Sequence, residues 1–174
     1  MHKFTDIHAH SRRGRDIVTS VEAGEPLEGD YGTVWFSVGI HPWSTAEPIP
    51  ESKWEALEAS LLDPRVVAVG ECGLDKNRGG SPEVQEEVFK RQAFLADAAG
   101  LPLIIHCVGR YGRLIELHRL IDPASEWIVH GFSGKPELAR QLLQQGINIS
   151  LGRRANPDVA AVVPPHRLYH ETDD

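Results

Sequence analysis

The sequence predicts an α/β protein, a compact TIM-type (β/α)8 barrel formed by residues 1–174 as a single domain. Three observations carry that expectation. Short apolar runs alternate with helix signals along the whole chain, the pattern of repeated βαβ units and a parallel sheet. Eight such runs occur, which favours a closed barrel over an open sheet. Residues able to bind metal stand where the runs end: His8, His10, Glu71, His106, His130 and Asp173. In a parallel barrel the C-terminal strand ends share one mouth, so ligands scattered over the chain can converge there.

The first strand is expected at residues 4–8, in FTDIHAH, and the second at 17–21. The stretch from residue 10 to residue 34 is too short for a helix on each side of that second strand, so loops should flank it. A third strand at 34–40 runs into GIHPW. Trp54, Leu57 and Leu61 then recur at helical spacing. The fourth strand, at 66–71, belongs to the continuous run VVAVGE, as expected of a parallel strand buried on both faces. Ser81-Pro82-Glu83 offers an N-cap, a first-turn proline and an early negative charge, and Gly100 closes that helix. Val84, Val88, Phe89 and Phe94 should supply part of its apolar face. Strands at 102–106 and 127–131 are each followed by a helix. Pro136 opens a further helix through Leu138, Leu142 and Leu143, which Gly146 stops. The seventh strand falls at 147–151, Asn156-Pro157 should start a short helix, and the eighth strand falls at 167–172. No final outer helix follows it. Barrels of this type usually take about 200 residues or more, so the sequence is read either as a very compact barrel or as a C-terminally truncated one.

Composition narrows the function classes. The chain is 41% hydrophobic and 25% charged, ordinary for a folded domain with its own core. No apolar run approaches the roughly 20 residues that cross a bilayer, and MHKFTDIHAH is not a signal segment. The expectation is a cytoplasmic protein with no membrane partner. Cys72 and Cys107 form no CxxC pair, and each follows a candidate ligand, so strand alternation should turn both away from the site as buried, reduced thiols. A net charge of −7 argues against general polyanion binding. It does not exclude nucleic acid, because ligand carboxylates count in that total and a bound dication offsets them.

The candidate ligands permit specific chemistry. His8 and His10, two apart on a strand, face one way and can reach one metal, and Asp6 on that face could orient a ligand from behind. Glu71 is expected to share its strand face with Val67 and Val69, and a carboxylate can bridge two ions. Asp173 is aligned with Glu171 and Tyr169, aimed into the mouth, where it could bind metal and also accept a proton from attacking water. Glu71 and Asp173 are therefore the catalytic candidates. His41 follows a strand at the same end and is a candidate substrate contact. His118 is expected to be solvated, His2 and His166 to lie on the surface, and His170 to point outward. Histidine with carboxylate and no thiolate suits a divalent cation that activates water, hence a metal-dependent hydrolase. Basic residues follow the strands too. Arg12, Lys76 and Arg110, with Arg78, Arg153 and Arg154, would either hold substrate phosphate or form a solvated rim.

The pieces DIHAH, VGIHPW, AVGECGLD, PLIIHC, VHGFSGKPE, ISLG and ETDD occur in the order of the TatD family of metal-dependent deoxyribonucleases, which the chain resembles from residue 4 to its end. The resemblance implies two divalent ions at the mouth of a barrel. His8, His10, Glu71 and Asp173 would hold one, and Glu71 would bridge to a second held by His106 and His130. His41 would stand near the substrate phosphate. The implied activity is hydrolysis of DNA phosphodiesters, often from the 3′ end, on single strands or 3′ ends. The wider amidohydrolase group often places a carboxylated lysine where Glu71 stands, so Glu71 favours the TatD-like pattern. The departures are the short stretch after His10 and the absent C-terminal segment. Imidazole-rich sites suit zinc, manganese or iron, whereas magnesium prefers oxygen ligands; Mg²⁺, Mn²⁺ and Zn²⁺ are the expected ions. Two other readings stay open. One is an amide or ester hydrolase of a small molecule at the same site. The other is a non-catalytic metal-binding or assembly protein, whose uncovered C-terminal flank would recruit a partner or a second copy of an otherwise monomeric chain.

Overall fold

Eight parallel strands are hydrogen-bonded in sequence order into one sheet. They are β1 (Asp6–Ala9), β2 (Ile17–Glu22), β3 (Trp35–Gly39), β4 (Val66–Asp75), β5 (Leu103–Val108), β6 (Trp127–Val129), β7 (Asn148–Leu151) and β8 (Leu168–His170). The computed structural model describes every residue from Met1 to Asp174. The sheet curls into the nearly closed barrel that the alternating pattern predicts. Its seam is held less by a strand ladder than by the segment after β8. Asp173 N–H donates to the His8 carbonyl at 3.0 Å. The Asp6 carboxylate accepts from the Thr172 N–H and hydroxyl, and the Asp174 carboxylate accepts from the N–H groups of His10 and Ser11 and the Ser11 hydroxyl.

Four α-helices lie between β3 and β7: α1 (Glu51–Ser60), α2 (Pro82–Ala99), α3 (Tyr111–Ile121) and α4 (Pro136–Gln145). Loops and turns make the other three connections, with one turn of 3-10 helix at Pro165–Arg167 just before β8. A parallel crossover that carries a helix takes about a dozen residues or more, and residues 10–16 between β1 and β2 are too few. The short helix expected at Asn156-Pro157 is a series of turns instead. The Asn156 side chain accepts the Asp158 N–H at 3.0 Å, and Pro164 ends the turns that follow. No helix is long and apolar enough to cross a membrane.

The main core lies between β4–β7 and α2–α4, around Phe89, Trp127, Phe132 and Leu142. A second cluster joins Trp54 and Leu57 of α1 to Phe36 and Val38 of β3. A third holds Phe4, Ile7, Val18, Ile128 and Tyr169. His118 is not free in solvent: it packs edge-on against Trp127, ring centroids 4.9 Å apart, and pairs with Gln145. Both cysteines are free and buried. Burial raises the Cys107 thiol to about 12, which keeps it protonated and unreactive.

Helix α2 corrects the expected apolar face. Phe89 is buried as predicted, but Val84 and Phe94 are exposed, and the buried stripe is Gln85, Phe89, Gln92, Ala93 and Ala96. The glutamines are inside because bare strand ends need partners. Gln92 accepts the Ile40 N–H at 2.8 Å and donates to the Ile40 carbonyl at 3.0 Å. Gln85 treats the Asp75 backbone the same way, at 2.7 and 3.0 Å. Both pin backbone directly beneath the mouth. Gln92→Leu should therefore destabilise the fold by about 2 kcal/mol or more, since each buried backbone group left unpaired costs about 1–3 kcal/mol. Denaturant unfolding measures this, and an unshifted midpoint would show that Ile40 finds other partners.

Strand β4 departs from simple alternation. Its register shifts once opposite Phe36 and Ser37 and again between Val69 and Cys72. Val67, Val69 and Glu71 consequently do not share a face. Val67 packs against the Phe4–Ile128–Tyr169 cluster, Val69 belongs to the core beside α2, and Glu71 enters the mouth. Each irregularity adds a residue and reverses the sides that follow.

Candidate metal centre

Glu71 is the hub of the strand ends. Gly73, two residues on, lets β4 approach β5 closely: a Cβ there would stand 1.8 Å from the His106 carbonyl oxygen. Glu71 Oε1 lies 3.0 Å from His41 Nε2, 3.0 Å from His106 Nδ1 and 2.7 Å from His130 Nε2. Its Oε2 lies 3.4 Å from His8 Nε2 and 3.9 Å from His10 Nε2. Asp173 Oδ1 faces the same two imidazoles, at 3.6 and 3.3 Å. The other five predicted ligands and His41 thus meet around the Glu71 carboxylate. The cleft above them has a volume of about 900 Å³, and Trp43, Tyr111, Arg153 and Arg154 also line it.

Three of the five imidazoles have partners on both ring nitrogens. The Trp43 N–H donates to His41 Nδ1 at 3.1 Å, which leaves the His41 proton on Nε2, facing Glu71. Such a ring donates a hydrogen bond rather than a lone pair at Nε2. His106 and His130 instead have carboxylates behind them. Asp75 Oδ2 stands 2.8 Å from His106 Nε2, and Glu171 Oε1 stands 3.3 Å from His130 Nδ1. Buried carboxylates in these positions take one ring N–H and leave the other nitrogen, the one facing Glu71, as the atom that could give its lone pair to a bound cation.

The electrostatics follow from this crowding. Burial opposes the Glu71 charge, yet His130, His106 and His41 outweigh it and hold Glu71 well below the usual carboxylate range. Burial likewise opposes a His130 cation, and Glu71 and Glu171 outweigh that and raise it well above the ordinary imidazole value. The His10 imidazole and then that of His8, 3.3 and 3.6 Å from its Oδ1, hold Asp173 low as well.

The residues fit a divalent ion on one independent ground. His8 is fully buried, and neither of its ring nitrogens has a hydrogen-bond partner. Buried polar atoms are normally satisfied. A cation between His8 Nε2, Glu71 and Asp173 would satisfy one of them. Three sets of ligand atoms lie within 4.8 Å of one another: His8, His130 and Asp173; His8, His10 and Glu71; His41, Glu71 and His106. Mixed imidazole and carboxylate donors suit zinc, manganese or iron.

Other expectations fare differently. Asp6 does not orient an imidazole; its carboxylate holds the backbone of His8 and Thr172 and pairs with Arg12 at 3.3 Å. Arg110 pairs with Glu86, Lys76 packs over Gly109, and neither these nor Arg12 lines the cleft, whereas Arg153 and Arg154 do. His170 is exposed on the outward side, as expected. Sequence reasoning passed over Asp75 and named the buried Glu171 only as sharing the face of Asp173, giving neither a role. The signal was present: Asp75 stands two alternations after Glu71, and Glu171 one before Asp173.

Comparison with known proteins agrees with this geometry. Residues 6–174 match the family described as TatD related DNase. A 3′-5′ ssDNA/RNA exonuclease TatD from Cronobacter turicensis is 34% identical over 153 residues, covering 82% of this chain and 58% of its own. A protein of the same description from Enterobacter lignolyticus is 32% identical, covering 80% of this chain and 57% of its own. The chain therefore spans a little under three-fifths of the length of these two relatives. The crystal structure of YJJV, a TatD homologue from Escherichia coli, superposes with a TM-score of 0.77 at 30% identity, covering 90% of this chain and 66% of that one. A TatD family hydrolase from Entamoeba histolytica, 21% identical, shares the fold with a TM-score of 0.68, covering 91% of this chain and 61% of that one.

Proposed function

The chain belongs to the family of TatD related DNases, and on that premise we propose that it is a divalent-metal-dependent hydrolase that cleaves nucleic-acid phosphodiesters, working from the 3′ end of a single strand. One observation carries the reading: five imidazoles and the Asp173 carboxylate gather around Glu71 at the strand ends, in a cleft with Arg153 and Arg154 on its rim.

In this reading His8, His10, Glu71 and Asp173 hold one ion, and Glu71, His106 and His130 hold a second, with Zn²⁺, Mn²⁺ or Mg²⁺ as the candidates. When bound, such ions supply Lewis acidity to the phosphoryl group and acidify the attacking water. Asp173, held anionic by His10 and His8 and about half-exposed to the cleft, orients that water and accepts its proton at a carboxylate oxygen. His41 carries its proton on Nε2 and so acts as a donor to a phosphoryl oxygen, not as a ligand. Arg153 and Arg154 face the phosphate backbone, the part of a nucleic acid that is held without regard to sequence.

Hydrolysis of a 3′-labelled single-stranded DNA by metal-stripped protein tests this, with Mg²⁺, Mn²⁺ or Zn²⁺ added back and a His106→Ala control. The expected result is metal-dependent release of label that the control loses. Absence of cleavage with every ion, by folded and metal-loaded protein, would overturn the nuclease reading in favour of a small-molecule substrate.

A further inference from the structure

We infer that Asp75 is a positioning residue that decides which nitrogen His106 turns to the centre. By holding the proton on Nε2, it leaves Nδ1 to face Glu71 and the proposed metal position, so the inference rests on the metal-centre reading above.

The geometry separates Asp75 from the ligands. Its Oδ2 contacts His106 Nε2 at 2.8 Å, whereas Glu71 Oε1 contacts Nδ1 of the same ring at 3.0 Å. The two carboxylates therefore stand on opposite sides of one imidazole, and Asp75 belongs to none of the three sets of convergent ligand atoms. Nor is Asp75 free to move towards the mouth. It is 5% exposed, and its Oδ1 accepts the Asn77 N–H at 2.8 Å. Its Oδ2 also accepts the Trp43 indole N–H at 2.7 Å, and Gln85 clamps its backbone from α2. A carboxylate fixed so fully presents only an acceptor to His106.

His130 supplies the contrast. There the carboxylate, Glu171, stands behind Nδ1, and Nε2 is the atom turned to Glu71. The two rings approach Glu71 Oε1 through opposite nitrogens, and in each case the buried acid behind the ring matches the nitrogen left for the centre. A histidine turned by local packing alone would need no acid on its far side. Removing an outer partner of this kind typically costs about 10–100-fold in metal affinity.

The test uses two readouts that loss of packing alone would not move together. Long-range ¹H–¹⁵N correlation on metal-free wild-type protein, with the His106 signals assigned by their absence in His106→Ala, should show a slowly exchanging proton on Nε2. Zn²⁺ affinity, by competition with a chelator, should fall about 10–100-fold in Asp75→Ala, with the protected Nε2–H lost and the circular dichroism unchanged. Should Asp75→Ala fail to fold, Asp75→Asn keeps the shape but offers His106 and Trp43 one shared carbonyl, and a smaller fall in Zn²⁺ affinity with faster Nε2–H exchange is expected. An unprotonated His106 Nε2 in the wild type would overturn the inference. So would an Asp75→Ala or Asp75→Asn protein that binds Zn²⁺ like wild type and keeps the protected Nε2–H. A wild type that shows the Nε2–H but binds no Zn²⁺ supports the placement by Asp75 and counts against the metal centre alone.

Discussion

Glu71→Gln is expected to empty the strand-end site of metal and to reduce DNA hydrolysis beyond detection, a fall of more than about 10⁴-fold, which exceeds the loss of a single general base. The size follows from position. Glu71 is the one group within 4 Å of five imidazoles, with His41, His106 and His130 on one oxygen and His8 and His10 facing the other. An amide there offers one neutral acceptor oxygen and, on its other arm, donors that repel a cation. The loss in metal affinity should therefore exceed the about 10–100-fold expected when an outer partner is removed. The fold should survive, because the amide keeps the shape of the carboxylate and His130, still paired with Glu171, can shed its proton rather than stand as an unpaired buried charge. Metal content after dialysis, measured beside turnover, is the check. A Glu71→Gln protein that keeps a full complement of metal would remove Glu71 from the centre of the site.

Asp173→Asn should separate binding from turnover. Asp173 faces only His8 and His10, and Glu71, His106 and His130, which would hold the second ion, do not depend on it. Metal should thus be partly retained while hydrolysis falls about 10²–10⁴-fold, the usual worth of a proton acceptor in the transition state. Asparagine is the right replacement for a backbone reason as well. Asp173 has φ of 49°, in the left-handed region that asparagine and aspartate tolerate better than most residues, and its N–H closes the barrel seam on His8. A β-branched or bulky residue there would damage the seam and confuse the result. Full activity in Asp173→Asn would exclude Asp173 as the acceptor; complete loss of metal would make it chiefly a ligand.

The variants draw on different layers of the molecule, and those layers were unequally readable. The alternation of apolar runs and helix signals placed all eight strands, because strand and helix impose different periods on burial and each period is written locally. The ligands at the strand ends were readable for a topological reason: once all strands run parallel, their C-terminal ends share a mouth. The face of β4 was not readable. Its two register shifts arise from pairing with β3 and β5, which no local period records.

Helix α2 shows the same division. Its start at Ser81-Pro82 and its end at Gly100 are local capping chemistry, and both are as expected. Its buried glutamines were invisible because they answer backbone groups of Ile40 and Asp75, supplied by other strands. The roles of Asp75 and Glu171 belong with them, since alternation puts both near the mouth but only the rings that other strands bring, His106 and His130, give them partners. The chain by itself determined the fold class, the order of the strands and the ring of candidate ligands, since these follow from short-range pattern and parallel topology. Only the tertiary structure decided which nitrogen each histidine presents and which acid stands behind it, since a proton's place on an imidazole depends on the partners that other strands bring within hydrogen-bonding distance.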